Sequence, residues 1–253
     1  MLFAPGRRPD ATAIEALAAG GAFAVSHRPS GEAHGTGPRW LELLATGLTF
    51  DLHGLAPGTQ AEPFVFAHRY GLAGGRPDSD RPGNAGPGAA EAIILALGPH
   101  LAGAAGLMPV VRAAAGLALA LAALPGAIAV GWHPARALSG LAHFSSSVSA
   151  WLAGGAFPAL GLTALDRSPD GAMASEGLAL LIGQELWIEP AAGSTPADDA
   201  RLAVRLIDRL IATGTIRTSV TVEPIAGQRL TLEPDPPGTG KAARLVRARR
   251  IRG

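Results

Sequence analysis

No cysteine occurs among the 253 residues. Disulfide frameworks, thiol catalysis, iron–sulfur ligation and cysteine-based zinc fingers are thereby excluded. Charge is scarce as well: Asp, Glu, Lys and Arg make up 16% of the sequence and the formal net charge is +1. That balance excludes a charge-dominated disordered chain and argues against a protein built to ride on nucleic acid. Lysine is nearly missing, Lys241 being the single one, while Gly 34 and Pro 21 are plentiful. The arginine bias therefore reads as GC-rich coding rather than as a functional signal. What is abundant is apolar: 48% of residues, with a mean hydropathy of +0.26, in a chain long enough for one large or two small domains and a sizeable core.

Residues 1–10 carry two prolines and the Arg7-Arg8 pair with no apolar run behind them, so no signal peptide is expected and the chain is read as cytoplasmic. Between Ala92 and Ala135 the only formal charge is Arg112, which raises a membrane reading. Gly98-Pro99, Met108-Pro109 and Pro125-Gly126 cut that region into pieces shorter than the roughly 20 residues a spanning helix needs. No membrane partner is expected.

The pattern along the chain predicts an α+β fold of mixed sheets with helices packed on one side, in two halves, 1–130 and 131–253. Asp10 is read as the N-cap of a helix through Ala19, followed by a strand at 22–26 and a hairpin of 40–44 and 48–52 turned by Thr46-Gly47. Residues 64–70 are a further strand candidate, and 71–88, rich in Gly, Pro, Asp and Arg, are expected to form a mobile loop. Strands at 91–97 and 128–130, joined by a helix over 107–124, are expected to lie side by side and parallel through a right-handed crossover. A helix over 135–153 should follow, then a meander of 157–165, 176–182 and 185–189. A helix from Thr195-Pro196 to Gly214 is signalled by its N-cap, N1 proline and first-turn acids Asp198 and Asp199. Short strands at 219–222, 229–232 and 244–246 complete the reading. The strings LAAGGAFAV (17–25) and LAGGAFPAL (152–160) each close a helix, open a strand and precede a second hairpin pattern, which suggests an internal duplication.

The expected parallel pair supplies the sharpest candidate site. Its strands would run out into Gly98-Pro99-His100 and Gly131-Trp132-His133-Pro134 at a shared edge, the edge that ligands favour in parallel sheets. Arg136, expected at the start of the next helix, would add a cation where free N–H groups also favour an anion. His100, Trp132, His133 and Arg136 are therefore the ligand-binding candidates, with Glu176, Gln184 and Glu185 of the meander as secondary ones. The same residues also fit a plain reading in which Pro134 holds His133 extended, Trp132 fills the core and both imidazoles bond backbone groups. No metal is assigned, since two imidazoles are too few and no HExxH-type spacing occurs; no cofactor is assigned either. PPGTGK (236–241) looks like part of a phosphate-binding loop but has Asp235 in place of the glycine and Ala242 in place of the Ser or Thr that such a loop needs. Ser145, Ser146 and Ser147 lie inside a predicted helix, away from any nucleophile elbow. The cluster Lys241, Arg244, Arg247, Arg249, Arg250 and Arg252 has no interleaved aromatics and reads as a basic edge strand or frayed tail whose removal should leave folding almost intact.

GWHPAR (131–136), WLAGGAFPALGL (151–162) and the stretches SEGL (175–178) and GQELWIEP (183–190) resemble an uncharacterised bacterial family, domain of unknown function 4261, over roughly residues 130–212. That family has no established activity, so the resemblance implies a bacterial chain and a folded second half but transfers no catalytic role. The resulting expectation is a non-catalytic binding or structural module whose partner is a protein or a small anion. The alternative is a hydrolase or transferase acting on a small anionic substrate at the His100/His133 edge.

Overall fold

The computed structural model describes residues 1–27, 40–72, 90–235 and 244–251. The fold is α+β, with three sheets among these residues. The chain divides into two compact units, residues 1–131 with 138–153, and residues 132–137 with 154–253. The stretch 138–153, expected in the second half, is thus part of the first unit. The expected loop 71–88 lies outside the described residues from 73 onward, as does PPGTGK.

The first unit opens with β1 (Leu2–Phe3), α1 (Ala11–Ala18), β2 (Ala24–His27), β3 (Trp40–Ala45), β4 (Leu48–His53), β5 (His68–Tyr70), β6 (Glu91–Ala92) and β7 (Ile94–Leu97). It continues with α2 (Met108–Leu121), β8 (Ala127–Trp132), β9 (Ala137–Gly140) and α3 (Leu141–Leu152). The Asp10 carboxylate caps α1 by accepting from the Ala13 N–H at 2.8 Å. Thr46 and Gly47 both adopt positive φ, 51° and 81°, the geometry that matches a two-residue hairpin turn to strand twist. That turn sets the β3–β4 register, Trp40 opposite His53 and Glu42 opposite Asp51. Because side chains alternate across a strand, Leu41, Leu43, Phe50 and Leu52 all fall on the other face, with 0% exposure. There they pack against Ile14 of α1 and Leu117 and Leu121 of α2. The sheet order is β2-β3-β4-β7, antiparallel throughout.

The expected side-by-side pair is corrected here. Segment 91–97 splits, with β7 joining the hairpin sheet and β6 joining a second sheet of order β5-β9-β8-β1-β6. There β6 and β8 both pair antiparallel with β1, so they point the same way but as second neighbours. The buried dipeptide Leu2-Phe3 lies between them, and two residues are too short to show a strand period in sequence. The helix expected from 135 is also corrected. Arg136 adopts a left-handed conformation (φ 45°, ψ 35°) after a 3₁₀ turn at His133–Ala135, which ends helical continuation. Residues 137–140 then form a fully buried strand. At Gly140 a Cβ would come within 2.1 Å of the Gly71 carbonyl oxygen; only glycine permits that approach.

The second unit holds α4 (Ala159–Leu162), β10 (Ala164–Arg167), β11 (Met173–Glu176), α5 (Ala179–Ile182), β12 (Gln184–Ile188), α6 (Pro196–Thr213), β13 (Val220–Ile225), β14 (Gln228–Pro234) and β15 (Arg244–Arg250). Its sheet runs β10-β11-β12-β15-β14-β13. Helix α6 forms where its signals placed it: Thr195 and Asp198 make a reciprocal capping box, and Leu202, Leu206, Ile207 and Leu210 form its buried face. Two expected strands are interrupted by tight turns instead, non-helical at Leu160 and Gly161 in the first. Residues 159–162 curl before β10, and 179–182 curl because the Glu185 carboxylate gathers the N–H groups of Gly177, Leu178 and Ala179. The expected second hairpin is therefore a strand–turn–strand around α5, although both units contain a three-stranded antiparallel meander in chain order.

The basic tail is the largest correction. β15 is neither an edge nor frayed: it lies between β12, with which it is parallel, and β14. Val246 and Ala248 are buried at 0% and 1% exposure, while three arginines of the same strand meet acids. Arg247 pairs with Asp235 at 2.7 Å, Arg249 with Glu189 at 2.9 Å, and Arg250 with the buried Asp199 of α6 at 2.8 Å.

Candidate functional site

The sequence candidates fall in different units. His100 belongs to the first, in a 3₁₀ turn at Pro99–Ala104, exposed, with its Nε2 3.2 Å from Thr49 Oγ1. Trp132, His133 and Arg136 belong to the second unit. The reason for expecting the two imidazoles at one edge, adjacency of their strands, no longer holds because β7, which leads into His100, is in a different sheet from β8, which leads into His133.

Within the second unit several candidates do come together, by way of structural bonds. The left-handed turn at Arg136 turns its guanidinium onto the end of β11, where it grips Glu176 through two parallel bonds, Nε to Oε1 and Nη2 to Oε2 at 3.1 Å. The Glu176 carboxylate raises the Arg136 pKa further above its ordinary value. Arg136 thus holds a carboxylate of its own chain and is not at a helix N-terminus. Gly177, at φ +91°, packs so closely under Pro134 and Ala135 that a Cβ would meet three of their atoms at 3.0 Å. Glu185 accepts from the Ser175 hydroxyl and from three successive N–H groups. Burial pushes its carboxyl above the usual range, against the opposing pull of those four donors. Gln184, 2% exposed, clasps the backbone of Ile216, donating to its carbonyl at 2.9 Å and accepting from its N–H at 2.7 Å. Three of the stretches that carry the resemblance, 131–136, 175–178 and 183–190, are therefore neighbours through Arg136–Glu176, Gly177–Ala135 and Glu185, and the side chains of Arg136, Glu176, Gln184 and Glu185 are all taken up in bonds within the unit.

Another place in the first unit has the shape of a site. A depression of about 540 Å³ is lined by Leu2, Leu72, Ile128, Leu138, Leu141 and Ala142, with Arg69 the only charged residue among the described ones that line it. The floor is β1, β8 and β9, and one wall is the first turn of α3. Leu2, Ala129 and Leu138 form a small core cluster beneath it, against which Phe66 and Leu72 pack. The close approach of Gly140 to Gly71 brings β9 and the end of β5 together, so that Arg69, exposed on β5, stands at the rim. Tyr70, next to it, stacks on His143 of α3 with ring centroids 6.1 Å apart.

Sequence reasoning missed this depression. Its lining comes from four separate stretches, with no motif among them; the one available signal was the unusual run of small residues Ala137, Ser139, Gly140 and Ala142 around a predicted helix start. Among the described residues no group of three or more His, Asp or Glu is arranged to hold a metal ion. No helix among them is long and apolar enough to cross a membrane, α2 having 14 residues. Comparison of the chain with family models, with curated proteins and with solved structures yields no match.

Proposed function

We propose that the chain is a non-catalytic binding module, and that the depression of its first unit takes a small ligand with an apolar body and an anionic end. The observation that carries this reading is the lining itself: about 540 Å³ walled by aliphatic side chains with one guanidinium at the rim. That volume is in the range of about 300–1,000 Å³ typical of ligand sites, which combine apolar walls with few orienting polar groups. Arg69 suits a carboxylate or phosphate because its fork of donors matches two oxygens at once. A binding rather than catalytic role is supported by the use of Gln184 and Glu185 in holding backbone groups and of Arg136 and Glu176 in holding each other. The resemblance of residues 130–212 to a bacterial family supports a bacterial chain, and a cytoplasmic location belongs to the same proposal.

Titration calorimetry with decanoate and with decanol tests it. Decanoate is expected to bind saturably at one site, decanol more weakly. Arg69→Gln should lower the decanoate affinity about tenfold, the loss of one charge-assisted contact. Ala142→Trp, at an exposed rim position, should fill the depression and remove binding of both. No binding of decanoate, or binding indifferent to both substitutions, overturns the reading.

A further inference from the structure

The outer face of the β2-β3-β4-β7 sheet has a composition that the fold does not account for. The register places Trp40, Glu42, Leu44, Thr49, Asp51, His53, Ile94 and Ala96 on the side opposite the core. His27 of β2, paired with Glu42, joins them. Across this face runs an aromatic row: the His27 and Trp40 rings lie 5.6 Å apart and the Trp40 and His53 rings 6.1 Å apart. Leu44 and Ile94 beside it are exposed at 38% and 36%. One step along the strands Glu42 and Asp51 stand directly opposite each other. Like charges in that position weaken a sheet, and the described residues of this face include no arginine or lysine to offset them. Ser26 holds one oxygen of Glu42 at 2.7 Å, which fixes the carboxylate and leaves its charge.

We propose that this face docks a basic segment of a partner protein, with an arginine side chain laid over Trp40 and its guanidinium held between Glu42 and Asp51. Successive same-face residues of a strand are about 6.6 Å apart, so a guanidinium within about 6 Å of the indole centre is also in reach of both carboxylates. Arginine suits this arrangement best because its flat cation stacks on an aromatic ring and bonds carboxylates with the edge. Leu44 and Ile94 supply apolar contact for the flanking residues of such a segment. The site is on a different sheet from the depression and does not depend on its ligand.

The test uses the full chain and two short peptides that differ only in arginine and its neutral isostere citrulline, followed by amide chemical shifts and titration calorimetry. The arginine peptide is expected to move the signals of residues 40, 42, 51 and 53, and to bind about tenfold more tightly than the citrulline peptide. Trp40→Ala and the pair Glu42→Gln with Asp51→Asn should each weaken it about tenfold while leaving the melting temperature nearly unchanged, since these side chains face away from the core. Equal binding of the citrulline peptide overturns the cationic occupant but leaves a docking face. Shifts spread over acids elsewhere, such as Glu62 or Asp166, or no binding at all, overturn the face itself.

Discussion

Two sheets of this molecule treat charge in opposite ways. In the second unit β15 brings Arg247, Arg249 and Arg250 into a sheet interior, and each finds an acid on a neighbouring element, Asp235, Glu189 or Asp199. In the first unit β3 and β4 bring Glu42 and Asp51 face to face with no described arginine or lysine to match them. The first pattern is what a fold needs when it must place a basic strand between two others: alternate residues enter the core and the remaining cations are neutralised in place. The second pattern is of no use to the fold. Charge density alone does not separate the two cases; whether the charge is matched within the same unit does.

The comparison breaks most visibly if β15 is removed. Ending the chain at Asp235 takes away the strand between β12 and β14 and leaves Asp199, 3% exposed, buried without its arginine. Loss of cooperative unfolding of the second unit is expected, with collapse of the dispersed amide signals of β12, β14 and α6. A truncated chain with a native-like spectrum would mean that the basic strand is dispensable after all.

A smaller effect separates the two faces of the hairpin sheet. Leu41→Ala removes a side chain with 0% exposure and should cost about 2–5 kcal/mol. Its neighbour Trp40→Ala, although a larger truncation, should cost only about 1 kcal/mol or less, because that side chain faces away from the core. Urea unfolding of the two variants checks the ordering. A Trp40 variant as unstable as the Leu41 variant would mean that the outer face is a packed surface and not a docking one.

Much of this architecture was legible because local signals and burial agreed. Thr46-Gly47 fixed a two-residue turn, and from that turn alone Trp40 pairs with His53 and Glu42 with Asp51. The capping pattern of Thr195, Pro196 and Asp198 likewise marked α6. The failures share a cause, which is that a distant contact overrode a local pattern. Leu2-Phe3 slipped between two strands that looked adjacent. The carbonyl of Gly71 required a glycine at 140 in a strand where helical spacing suggested a helix. Glu185 wound residues 179–182 into a turn where alternation suggested a strand. The basic tail misled for the complementary reason: its partners Asp199, Glu189 and Asp235 are spread through the sequence, so its arginines looked unmatched. The depression was invisible because its walls are ordinary aliphatic residues brought together from four stretches.

Glu185 gives the finest version of the comparison, a carboxylate whose matching is by dipoles rather than by a cation. Burial raises its pKa above 4.5, and the Ser175 hydroxyl with the N–H groups of Ala179, Gly177 and Leu178 pulls it back only in part. A carboxyl that holds its proton more tightly when folded than when unfolded makes the folded state bind more protons in the window just above pH 4.5, so its contribution to stability falls as pH rises through that window. Glu185→Gln should destabilise the second unit at neutral pH by roughly 1–3 kcal/mol, since an amide cannot accept from all four donors. It should also remove the pH slope, so that the gap between wild type and variant is wider at acid pH than at neutral pH. Urea midpoints of both proteins across roughly pH 4 to 7 read this directly. A gap that instead widens with rising pH would show that the four donors outweigh burial, and that this acid is as fully matched as the arginines of β15.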